Sequence, residues 1–344
     1  MEQLPTKDEG VEPLNEQPSI EMLFRDRLQL GGVMDVIEKT LQSQEPLLPE
    51  ISNYMIGLGG KRIRPAFTLL VSRIFGDGAL SEELSLICAG IELIHTATLL
   101  HDDIIDRAEQ RRHGKSAYKL YGLAPSLLAG NFLFVRAFGL CSRLHPFIVQ
   151  QTERSCLMLT EGELLDEMNT DFSLETALEI ARKKTAPLFA LGALAGAFIP
   201  TRDKPLALEM WEFGESVGIA FQIVDDILDI IGTEATLGKK IGTDIRERKP
   251  SIINVLWKNC GTPLFERLMG NGGRIECEIS QQDLQAATKE ILSLGIVEEA
   301  KEYAEKLIKM AKEKVLSLQR NTNFNKDNCS DLFLLLDYAI SRVT

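Results

Sequence analysis

Two stretches of this chain end in the same acidic pattern, ELIHTATLLHDDIID at residues 92–106 and GIAFQIVDDILD at residues 218–229. In both stretches apolar residues recur three and four positions apart, which is the period of one face of an α-helix. Helices that are this apolar before their acidic ends are typical of the centre of a helical bundle. The two stretches therefore predict a pair of central helices with other helices around them.

The same helical spacing continues through the chain from about residue 28, and alternating, strand-like runs are scarce. Short breaks rich in glycine and proline separate the segments, and no stretch has the composition of a long linker. We therefore predict an all-α fold, a single-domain bundle of ten or more helices that occupies residues 21–344. The segment at residues 1–20 is acidic and polar, so it resembles neither a secretory signal nor a transit peptide, and it is predicted to be a disordered arm.

Composition excludes several classes of protein. The 344 residues are 44% hydrophobic and 26% charged, and 50 acidic residues against 38 basic ones give a net charge of -12. A general nucleic-acid binder would need a basic surface, so this class is not expected. The most apolar stretch, residues 186–200, is too short to span a bilayer, so we expect no transmembrane segment and at most peripheral membrane contact. The six cysteines are scattered, which favours reduced thiols in a cytoplasmic protein.

The acidic motifs predict a site for divalent cations. The outer aspartates of each motif, Asp102 with Asp106 and Asp225 with Asp229, are four residues apart and so share one helix face. Carboxylates placed this close repel one another unless a cation lies between them. Magnesium binds one or two carboxylates and completes its shell with water and phosphate oxygens. Two such clusters that face each other would clamp a diphosphate.

A single acidic cluster is more often a solvated helix end than a metal site. Here both clusters close strongly apolar helices, which would bring several charges toward the interior unless a cavity with cations received them. The repetition of the pattern favours the metal site.

Basic residues lie beside the breaks in the helical pattern. In GGKRIRP, at residues 59–65, the glycines let backbone amides approach an anion, and Arg64 can bind phosphate oxygens through two N–H groups. An exposed basic loop is the plainer interpretation of this segment, since charged runs are usually solvated. Basic runs also follow both acidic motifs, which would place metal and cationic side chains on opposite sides of a diphosphate. These residues are Arg111 and Arg112 after the first motif, and Lys239, Lys240, Arg246, Arg248 and Lys249 after the second.

Taken in order, these stretches resemble the trans-prenyltransferases, the family of polyprenyl and farnesyl diphosphate synthases. The matching stretches are GGKRIRP, ELIHTATLLHDDIID with its following RR, EGELLDE, KKTA, and GIAFQIVDDILD followed by GKKIGTDIRERKPS. A lone DDxxD motif would be weak, whereas this ordered set is specific and covers nearly the whole chain from about residue 28. The resemblance implies the isoprenoid synthase fold, in which the helices surround a central tunnel.

The resemblance also implies roles for individual residues. Magnesium ions that bridge the allylic diphosphate would be held by Asp102, Asp106 and Asp225, with Asp103, Asp226 and Asp229 in support. The allylic diphosphate would be bound by Arg111, Lys184, Lys239 and Lys249, and the diphosphate of isopentenyl diphosphate by Lys61, Arg64, His95 and Arg112. Polar residues near the allylic site and the second metal site correspond to Thr185, Gln222 and Asp244, with Asp166 as a weaker match and His101 as a candidate helper. The catalytic set is Asp102, Asp106, Lys184, Asp225 and Lys239.

The reaction that the resemblance implies joins isopentenyl diphosphate to an allylic prenyl diphosphate. The allylic C–O bond ionises, the double bond of isopentenyl diphosphate attacks the carbocation, and a proton is lost. Magnesium, about three ions per site, and basic residues stabilise the departing diphosphate, which is the expected base. A dry tunnel protects the carbocation from water. The family also implies a homodimer.

Two positions depart from the pattern of the family. Its members usually follow the paired arginines with Gly-x-Pro, whereas this chain continues with His113, Gly114 and Lys115. Asn131 stands where many members have an aspartate after glycine. We expect both changes to alter local geometry without abolishing activity.

The family's pattern also bears on product length. Residues one turn before the first acidic motif face the tunnel in this family, and here they are the small Ala97 and Thr98. Short-chain members tend to place an aromatic ring there as a floor. We therefore predict a medium- to long-chain, all-trans product of about C25 or longer. Candidate floors deeper in the tunnel are Phe132, Phe134 and Phe138.

Several alternatives stay open from the sequence. A short-chain geranylgeranyl or farnesyl diphosphate synthase would share every motif. A terpene cyclase would lack GGKRIRP and the second DDxxD motif, and a non-catalytic regulatory subunit would usually lose acidic motifs that this chain keeps. A helical scaffold that stores calcium would show no diphosphate release in a magnesium-dependent assay.

Overall fold

A computed structural model of the protein describes residues 28, 30–112, 114–232, 241–270, 278–320 and 324–342. These residues form sixteen α-helices, which confirms the prediction of an all-α fold with ten or more helices. The predicted arm at residues 1–20, His113 and Lys239 lie outside the described residues. In chain order the helices are α1 Leu30–Thr40, α2 Leu47–Gly57, α3 Ile63–Phe75, α4 Glu82–Ile105, α5 Ala117–Tyr121, α6 Leu123–Cys141, α7 Pro146–Met168, α8 Leu174–Lys184, α9 Ala186–Thr201, α10 Lys204–Ile231, α11 Thr243–Arg246, α12 Ile252–Asn259, α13 Pro263–Met269, α14 Gln281–Ser293, α15 Ile296–Ser317 and α16 Cys329–Ser341.

The two helices that carry the acidic motifs are long, and each begins at a side-chain cap. The hydroxyl of Ser81 accepts a hydrogen bond from the backbone N–H of Leu84 at 3.2 Å at the start of α4. At the start of α10, the carboxylate of Asp203 accepts one from the N–H of Leu206 at 3.1 Å. Such caps satisfy backbone donors that have no partner inside the helix. The 24 residues of α4 and the 28 of α10 then run to acidic C-terminal ends.

The centre of the bundle is α9, in which every residue from Ala186 to Ile199 is buried. It packs against α3 and α10. A side chain on Gly214 of α10 would place its Cβ 2.5 Å from the carbonyl oxygen of Phe189, so only glycine permits this approach. The close contact between α9 and α10 fixes the position of the second acidic motif.

The first acidic motif is fixed by the packing of α4 against α6. By length and composition alone, α4 and α6 are apolar enough to cross a membrane. The apolar window of α4 is 72% buried inside the protein, as in a core helix, whereas that of α6 is only 33% buried. The outer face of α6 exposes Leu128 and Val135, which makes it a candidate contact surface for another molecule.

A small antiparallel hairpin follows α4 and carries the paired arginines. Its strands are β1 Gln110–Arg111 and β2 Gly114–Lys115. The Tyr54 hydroxyl donates a hydrogen bond to the carbonyl oxygen of Lys115 at 2.7 Å, which ties the hairpin to α2. The Ser116 hydroxyl bonds the carbonyl oxygen of Ala108 and closes the base of the hairpin.

Candidate active site

A cavity of about 410 Å³ lies between the C-terminal ends of α4 and α10, and both acidic motifs line it. The structure therefore brings together most of the site residues predicted from the sequence. Those on its walls are Arg64, His95, Thr98, Asp102, Asp106, Arg111, Asp166, Lys184, Thr185, Gln222, Asp225, Asp226, Asp229, Asp244, Arg246 and Lys249. Among the described residues, Lys61, Ala97, Asp103, Arg112 and Phe132 belong to the predicted set but do not line this cavity.

The placement of the acidic motifs is electrostatically unfavourable without cations. Both motifs stand at the C-terminal ends of their helices, where the helix dipole is already negative. Carboxylates at such an end need positive charge nearby, and the cavity supplies it from three directions. These are the hairpin after α4, the end of α8 and the loop between α11 and α12.

The middle aspartate of the first motif is held by the hairpin. Asp103 is fully buried, and Arg111 binds its Oδ1 atom through Nη2 and through Nε, the latter at 2.7 Å. Burial raises the pKa of Asp103, and the charge of Arg111 opposes that rise. The carboxylate therefore positions Arg111 at the wall of the cavity.

Lysines neutralise the acidic residues around the first motif. Lys184 lies 2.6 Å from Asp166 and 2.9 Å from Glu163. Burial lowers the pKa of Lys184, but the carboxylates of Asp166 and Glu163 outweigh burial, so that its pKa is raised. The ammonium group is therefore charged when it faces the cavity.

Lys249 is the centre of a larger ionic cluster. Its Nζ atom lies 2.9 Å from Glu247, 3.2 Å from Asp106, 3.3 Å from Glu167 and 3.6 Å from Asp166. Burial lowers the pKa of Lys249, and Asp166, Asp106 and Glu247 more than reverse this effect. Together, Lys249 and Lys184 face five carboxylates, which leaves the cluster with excess negative charge that a divalent ion would offset.

Asp102 is the first aspartate of the first motif. Burial, followed by the nearby charge of Glu163, raises the pKa of Asp102 to about 7. A buried carboxyl group with a pKa raised this far is typical of a site that binds a cation.

The middle aspartate of the second motif is held by neutral donors. Gln222 donates to Asp226 at 2.7 Å through Nε2, the backbone N–H of Ile252 donates at 3.1 Å, and the hydroxyl of Thr185 donates to Gln222. Burial raises the pKa of Asp226 to about 7, although both donors favour its charged form. Thr185 and Gln222 thus support the second motif from α8 and α10.

Asp229 provides a test of whether a metal ion fits this site. Its Oδ2 atom accepts a hydrogen bond from the backbone N–H of Asp244 at 3.0 Å. Its Oδ1 atom is buried and has no hydrogen-bond partner in the described part of the chain, and the same holds for Oε1 of Glu163. Buried oxygens without partners, in a cavity lined by hard carboxylate ligands, fit magnesium or calcium.

The C-terminal helix α16 contacts two of the predicted site residues. Arg342 lies 2.6 Å from Oδ1 of Asp225, and its guanidinium group stacks over the ring of Phe221 with 4.9 Å to the centroid. On the same helix, the Tyr338 ring lies 4.4 Å from the ammonium group of Lys61. Asp225 and Lys61 are therefore both in contact with the end of the chain.

A basic cluster lies beside the second motif. Arg64 donates from Nη1 to Nε2 of His95 at 3.2 Å, which places the proton of a neutral imidazole on Nδ1. Burial lowers the pKa of His95 well below its usual value, and the charges of Arg64, Arg112, Arg111 and Arg62 lower it further. His95 is therefore a neutral donor among arginines.

The glycines of GGKRIRP make room for the arginine pair. A Cβ on Gly60 would lie 2.7 Å from Nη2 of Arg112, and the φ angle of Gly60 is 126°, so this position suits only glycine. Arg62 has a different role from its neighbours, because it forms a buried ion pair with Glu92 at 2.6 Å and binds the carbonyl oxygen of Ile56. Arg62 fixes the loop, and Arg64 and Arg112 are left to face an anion.

The residues predicted to set product length occupy different environments. Thr98 lines the cavity, and its hydroxyl bonds the carbonyl oxygen of His95 at 2.8 Å. Ala97 is fully buried in the core. Phe132 is half-buried beside Arg136, and the ring of Phe134 lies 5.8 Å from that of His101.

Sequence reasoning missed several residues at this site. No local motif distinguishes Arg342 or Tyr338, which contact Asp225 and Lys61 from the far end of the chain. Glu247 lies within the quoted basic run but was not recognised as a partner of Lys249. Glu163 and Glu167 belong to the EGELLDE stretch, where their proximity to Asp166 on α7 was the available signal.

Comparison with known proteins gives a consistent result. A model of the polyprenyl synthetase family matches residues 45–289. A geranylgeranyl pyrophosphate synthase from Geoglobus acetivorans is 32% identical over 333 residues, which cover 94% of this chain and 99% of that protein. An octaprenyl diphosphate synthase from Escherichia coli is 35% identical over 243 residues, which cover 68% of this chain and 73% of that protein. The solved structure of a polyprenyl synthase from Caulobacter crescentus, complexed with calcium and isoprenyl diphosphate, superposes with a TM-score of 0.85 at 32% identity and covers 96% of this chain and 100% of the other.

Proposed function

We propose a specific reaction for this chain, which belongs to the polyprenyl synthetase family and is a prenyl diphosphate synthase. In the proposed reaction, the cavity between α4 and α10 elongates an allylic diphosphate to a medium- to long-chain polyprenyl diphosphate. The observation that carries this proposal is that both acidic motifs line one cavity as its two acidic walls, and that basic side chains line the same cavity. The substrates of the family, isopentenyl diphosphate and an allylic prenyl diphosphate, both bear a diphosphate that such walls suit.

The metal ions would be held by the outer aspartates, Asp102 and Asp106 on one wall and Asp225 and Asp229 on the other. The buried, unpartnered Oδ1 of Asp229 supports this assignment, and so does the calcium in the Caulobacter structure. We propose about three magnesium ions per site, as the family implies. When bound, magnesium would neutralise the negative charge that develops on the departing diphosphate.

The allylic diphosphate would lie between the first wall and the basic residues around it. Lys184 and Arg111 reach the cavity from α8 and the hairpin, and Lys249 reaches it from the loop before α12. Each is paired with a carboxylate, which holds the cation in place before substrate arrives. Such preorganised charge stabilises the leaving group without rearrangement during the reaction. Lys239 is proposed as a further ligand by resemblance alone.

Isopentenyl diphosphate would bind at the basic cluster formed by Lys61, Arg64, His95 and Arg112. The neutral His95 offers an N–H from Nδ1, and Arg64 is buried against the rings of Phe189 and Phe221. Arginines around a neutral imidazole attract a diphosphate and leave the histidine unable to compete for the proton that the reaction releases.

The chemistry follows from this arrangement of the two substrates. The allylic C–O bond ionises toward the first wall, and the double bond of isopentenyl diphosphate attacks the resulting carbocation. The proton lost afterwards passes to the departing diphosphate. Leu99, Ala177 and Ile180 line the cavity with apolar surface, which excludes water from the carbocation.

A product longer than geranylgeranyl is proposed from the small Thr98 on the cavity wall, one turn before the first motif. The relatives support both outcomes, since one forms geranylgeranyl and another octaprenyl diphosphate. The test is incubation of the purified protein with farnesyl diphosphate, isopentenyl diphosphate and magnesium, followed by analysis of product length. Products that stop at geranylgeranyl diphosphate would contradict the long-chain proposal, and no diphosphate release would indicate a regulatory subunit.

Thr98→Phe tests whether this wall borders the growing chain. A phenyl ring there would fill space along the wall, so we expect shorter products with the rate of the first condensation largely retained. Ala97→Phe is the comparison, because Ala97 is buried in the core and an added ring would strain the packing. If only Ala97→Phe shortened the product, the chain would run on the other side of α4.

We also propose that the protein acts as a cytoplasmic homodimer. The apolar residues that support this association lie on α6 and α7 and are Leu127, Leu128, Val135, Leu157, Leu164 and Met168, all exposed in the single chain. Exposed apolar side chains in this number on two neighbouring helices are typical of a subunit interface. Sedimentation equilibrium tests the proposal, and a strictly monomeric protein would leave this surface for peripheral contact with the membrane that receives the product.

A further inference from the structure

The residue that follows the first acidic motif has an unusual backbone. Arg107 adopts a left-handed conformation with φ 50°. Its N–H bonds the carbonyl oxygen of Ile104 at 3.3 Å, and the N–H of Ala108 bonds that of Asp103 at 2.9 Å. These two bonds form the Schellman motif that ends many helices, in which the left-handed position normally belongs to glycine. An arginine here is less favourable for the backbone than a glycine would be.

Arginines adopt left-handed conformations at several positions, and among the described residues Arg107 is the one of them that lines the cavity. In the described part of the chain, all non-glycine residues with positive φ are arginines, namely Arg62, Arg107, Arg112, Arg202 and Arg248. Arg112 belongs to the basic cluster described above, and Arg62 fixes the loop beside it. Backbone strain of this kind persists where the side chain has a role that offsets it.

Arg107 also differs from the other cations on the cavity wall. Arg111, Lys184 and Lys249 each bind a carboxylate, and Arg64 binds His95. Arg107 lines the cavity with an exposed side chain, and no hydrogen bond or ion pair engages that side chain within the described ranges. The guanidinium group of Arg107 is therefore available to bind a ligand at the mouth of the site.

We propose that Arg107 is a further binding residue for the diphosphate of the allylic substrate, reaching it from the rim next to Asp106. This inference rests on the proposed function of the cavity, because it assumes that a diphosphate occupies the space beside the first wall. The strained position presents a long cationic side chain immediately after the metal-binding motif. A guanidinium group there adds charge-assisted hydrogen bonds to diphosphate oxygens.

The position permits an unusually clean substitution. Arg107→Gly removes the charge and relieves the backbone, so a purely structural role predicts an unfolding midpoint that is unchanged or raised by about 1–2 °C, with normal substrate binding. A binding role predicts weaker substrate binding in a protein of equal or greater stability. We expect KM for farnesyl diphosphate to rise about 5- to 10-fold in Arg107→Gly, while KM for isopentenyl diphosphate stays within about twofold. Arg107→Lys should recover most of the loss.

The matched control is Arg202→Gly. Arg202 also has a left-handed backbone, with φ 58°, but it ends α9 at the surface and pairs with Glu83 away from the cavity. We expect this variant to keep the KM of the unmodified protein for both substrates. A similar rise in KM for Arg202→Gly would show that loss of any surface arginine weakens binding through net charge.

Calorimetric titration with inorganic diphosphate in the presence of magnesium separates the possible failures. The unmodified protein should bind, Lys184→Ala should bind far more weakly, and Arg107→Gly should bind about 5- to 10-fold more weakly, with a difference that shrinks at high salt. Unchanged binding and KM in Arg107→Gly, with loss in Lys184→Ala, would overturn the role of Arg107 alone. An unmodified protein that neither binds diphosphate nor turns over would overturn the proposed function of the cavity.

Discussion

The two acidic walls have nearly the same sequence but are held by different means. In DDIID, the middle aspartate Asp103 is neutralised by the charge of Arg111. In DDILD, the middle aspartate Asp226 is held by the amide of Gln222 and the backbone N–H of Ile252, neither of which is charged. Both oxygens of Asp226 are engaged in this way, whereas Arg111 binds only Oδ1 of Asp103, whose buried Oδ2 has no hydrogen-bond partner among the described residues. Each middle aspartate thus has partners within the protein, which supports the proposal that the outer aspartates hold the metal.

The outer aspartates differ in the basic side chains that pair with them. Asp106 belongs to the cluster around Lys249, which arises from neighbouring helices and is mostly buried. Asp225 is more exposed and is paired with Arg342, a residue from the end of the chain. Asp106 is thus held in a dense ionic network, whereas Asp225 has one ion pair, with Arg342. This contrast predicts how strongly substitutions in each wall should affect activity and stability.

The largest effect should come from the outer aspartates themselves. Asp102→Asn removes a proposed metal ligand from the more buried wall, and we expect kcat/KM to fall about 10³-fold, against about 10²-fold for Asp225→Asn. Steady-state kinetics over a range of magnesium concentrations measures both, and the concentration required should rise in each variant. Equal losses, or a larger loss at Asp225, would show that the two walls do not differ in the way their surroundings suggest.

The next largest effect concerns the network of the first wall. Lys249→Met leaves Asp106, Asp166 and Glu247 without their shared cation, and we expect the free energy of unfolding to fall by about 2–4 kcal/mol, since some of these groups are partly exposed. Urea denaturation measures the change. Magnesium should restore part of the loss by replacing the missing charge.

The control for this variant is Lys119→Met. Lys119 pairs with Glu109 in solvent, with side chains 53% and 60% exposed, so its loss should change stability by no more than about 0.5 kcal/mol. If both variants lost the same stability, the network around Lys249 would contribute no more than a surface ion pair.

The middle aspartates allow the most direct comparison of the walls. Asp103→Asn leaves Arg111 beside a neutral side chain in a buried position, and we expect a loss of about 2–3 kcal/mol. Asp226→Asn loses less, about 1 kcal/mol, because its partners are neutral and the pKa of Asp226 is already raised to about 7. Denaturant unfolding of both variants at pH 8 without metal decides the matter. The reverse order would mean that neutral donors anchor a carboxylate more strongly than Arg111 does.

The sequence was sufficient for the helices and for both walls because their signals are local. The spacing of Leu93, Ala97 and Leu100 identifies a helix, and the spacing of Asp102 and Asp106 places two carboxylates on one face. The difference between the walls is not local. Arg342 reaches Asp225 from 117 positions away, on a helix whose sequence is that of an ordinary amphipathic segment.

The product-length residues show another limit of sequence reasoning. Ala97 and Thr98 were predicted together, but successive residues on a helix point about 100° apart. Packing of α4 against its neighbours turns Thr98 to the cavity and Ala97 into the core. Residue size is visible in a sequence, whereas the direction in which a residue faces depends on that packing. The roles of both residues stay predictions.

The last comparison concerns His95, whose contribution to stability changes with pH in the opposite direction to that of the walls. Its folded-state pKa is lowered, so below pH 6.5 the unfolded chain binds a proton more readily than the folded protein does, and stability falls as the pH falls. The raised pKa values of Asp102 and Asp226 act in the opposite direction, since the folded protein then binds protons more readily.

His95→Gln keeps a neutral side chain in the cluster and removes only the contribution of the histidine. Relative to this variant, the unmodified protein without metal should lose up to about 1.4 kcal/mol of stability for each pH unit below 6.5. Urea unfolding of both proteins between pH 7.5 and 5.5 measures the difference, in which the contributions of the walls cancel. A constant difference across this range would mean that His95 carries the same charge in the folded and unfolded states, and that the arginines around it do not keep it neutral.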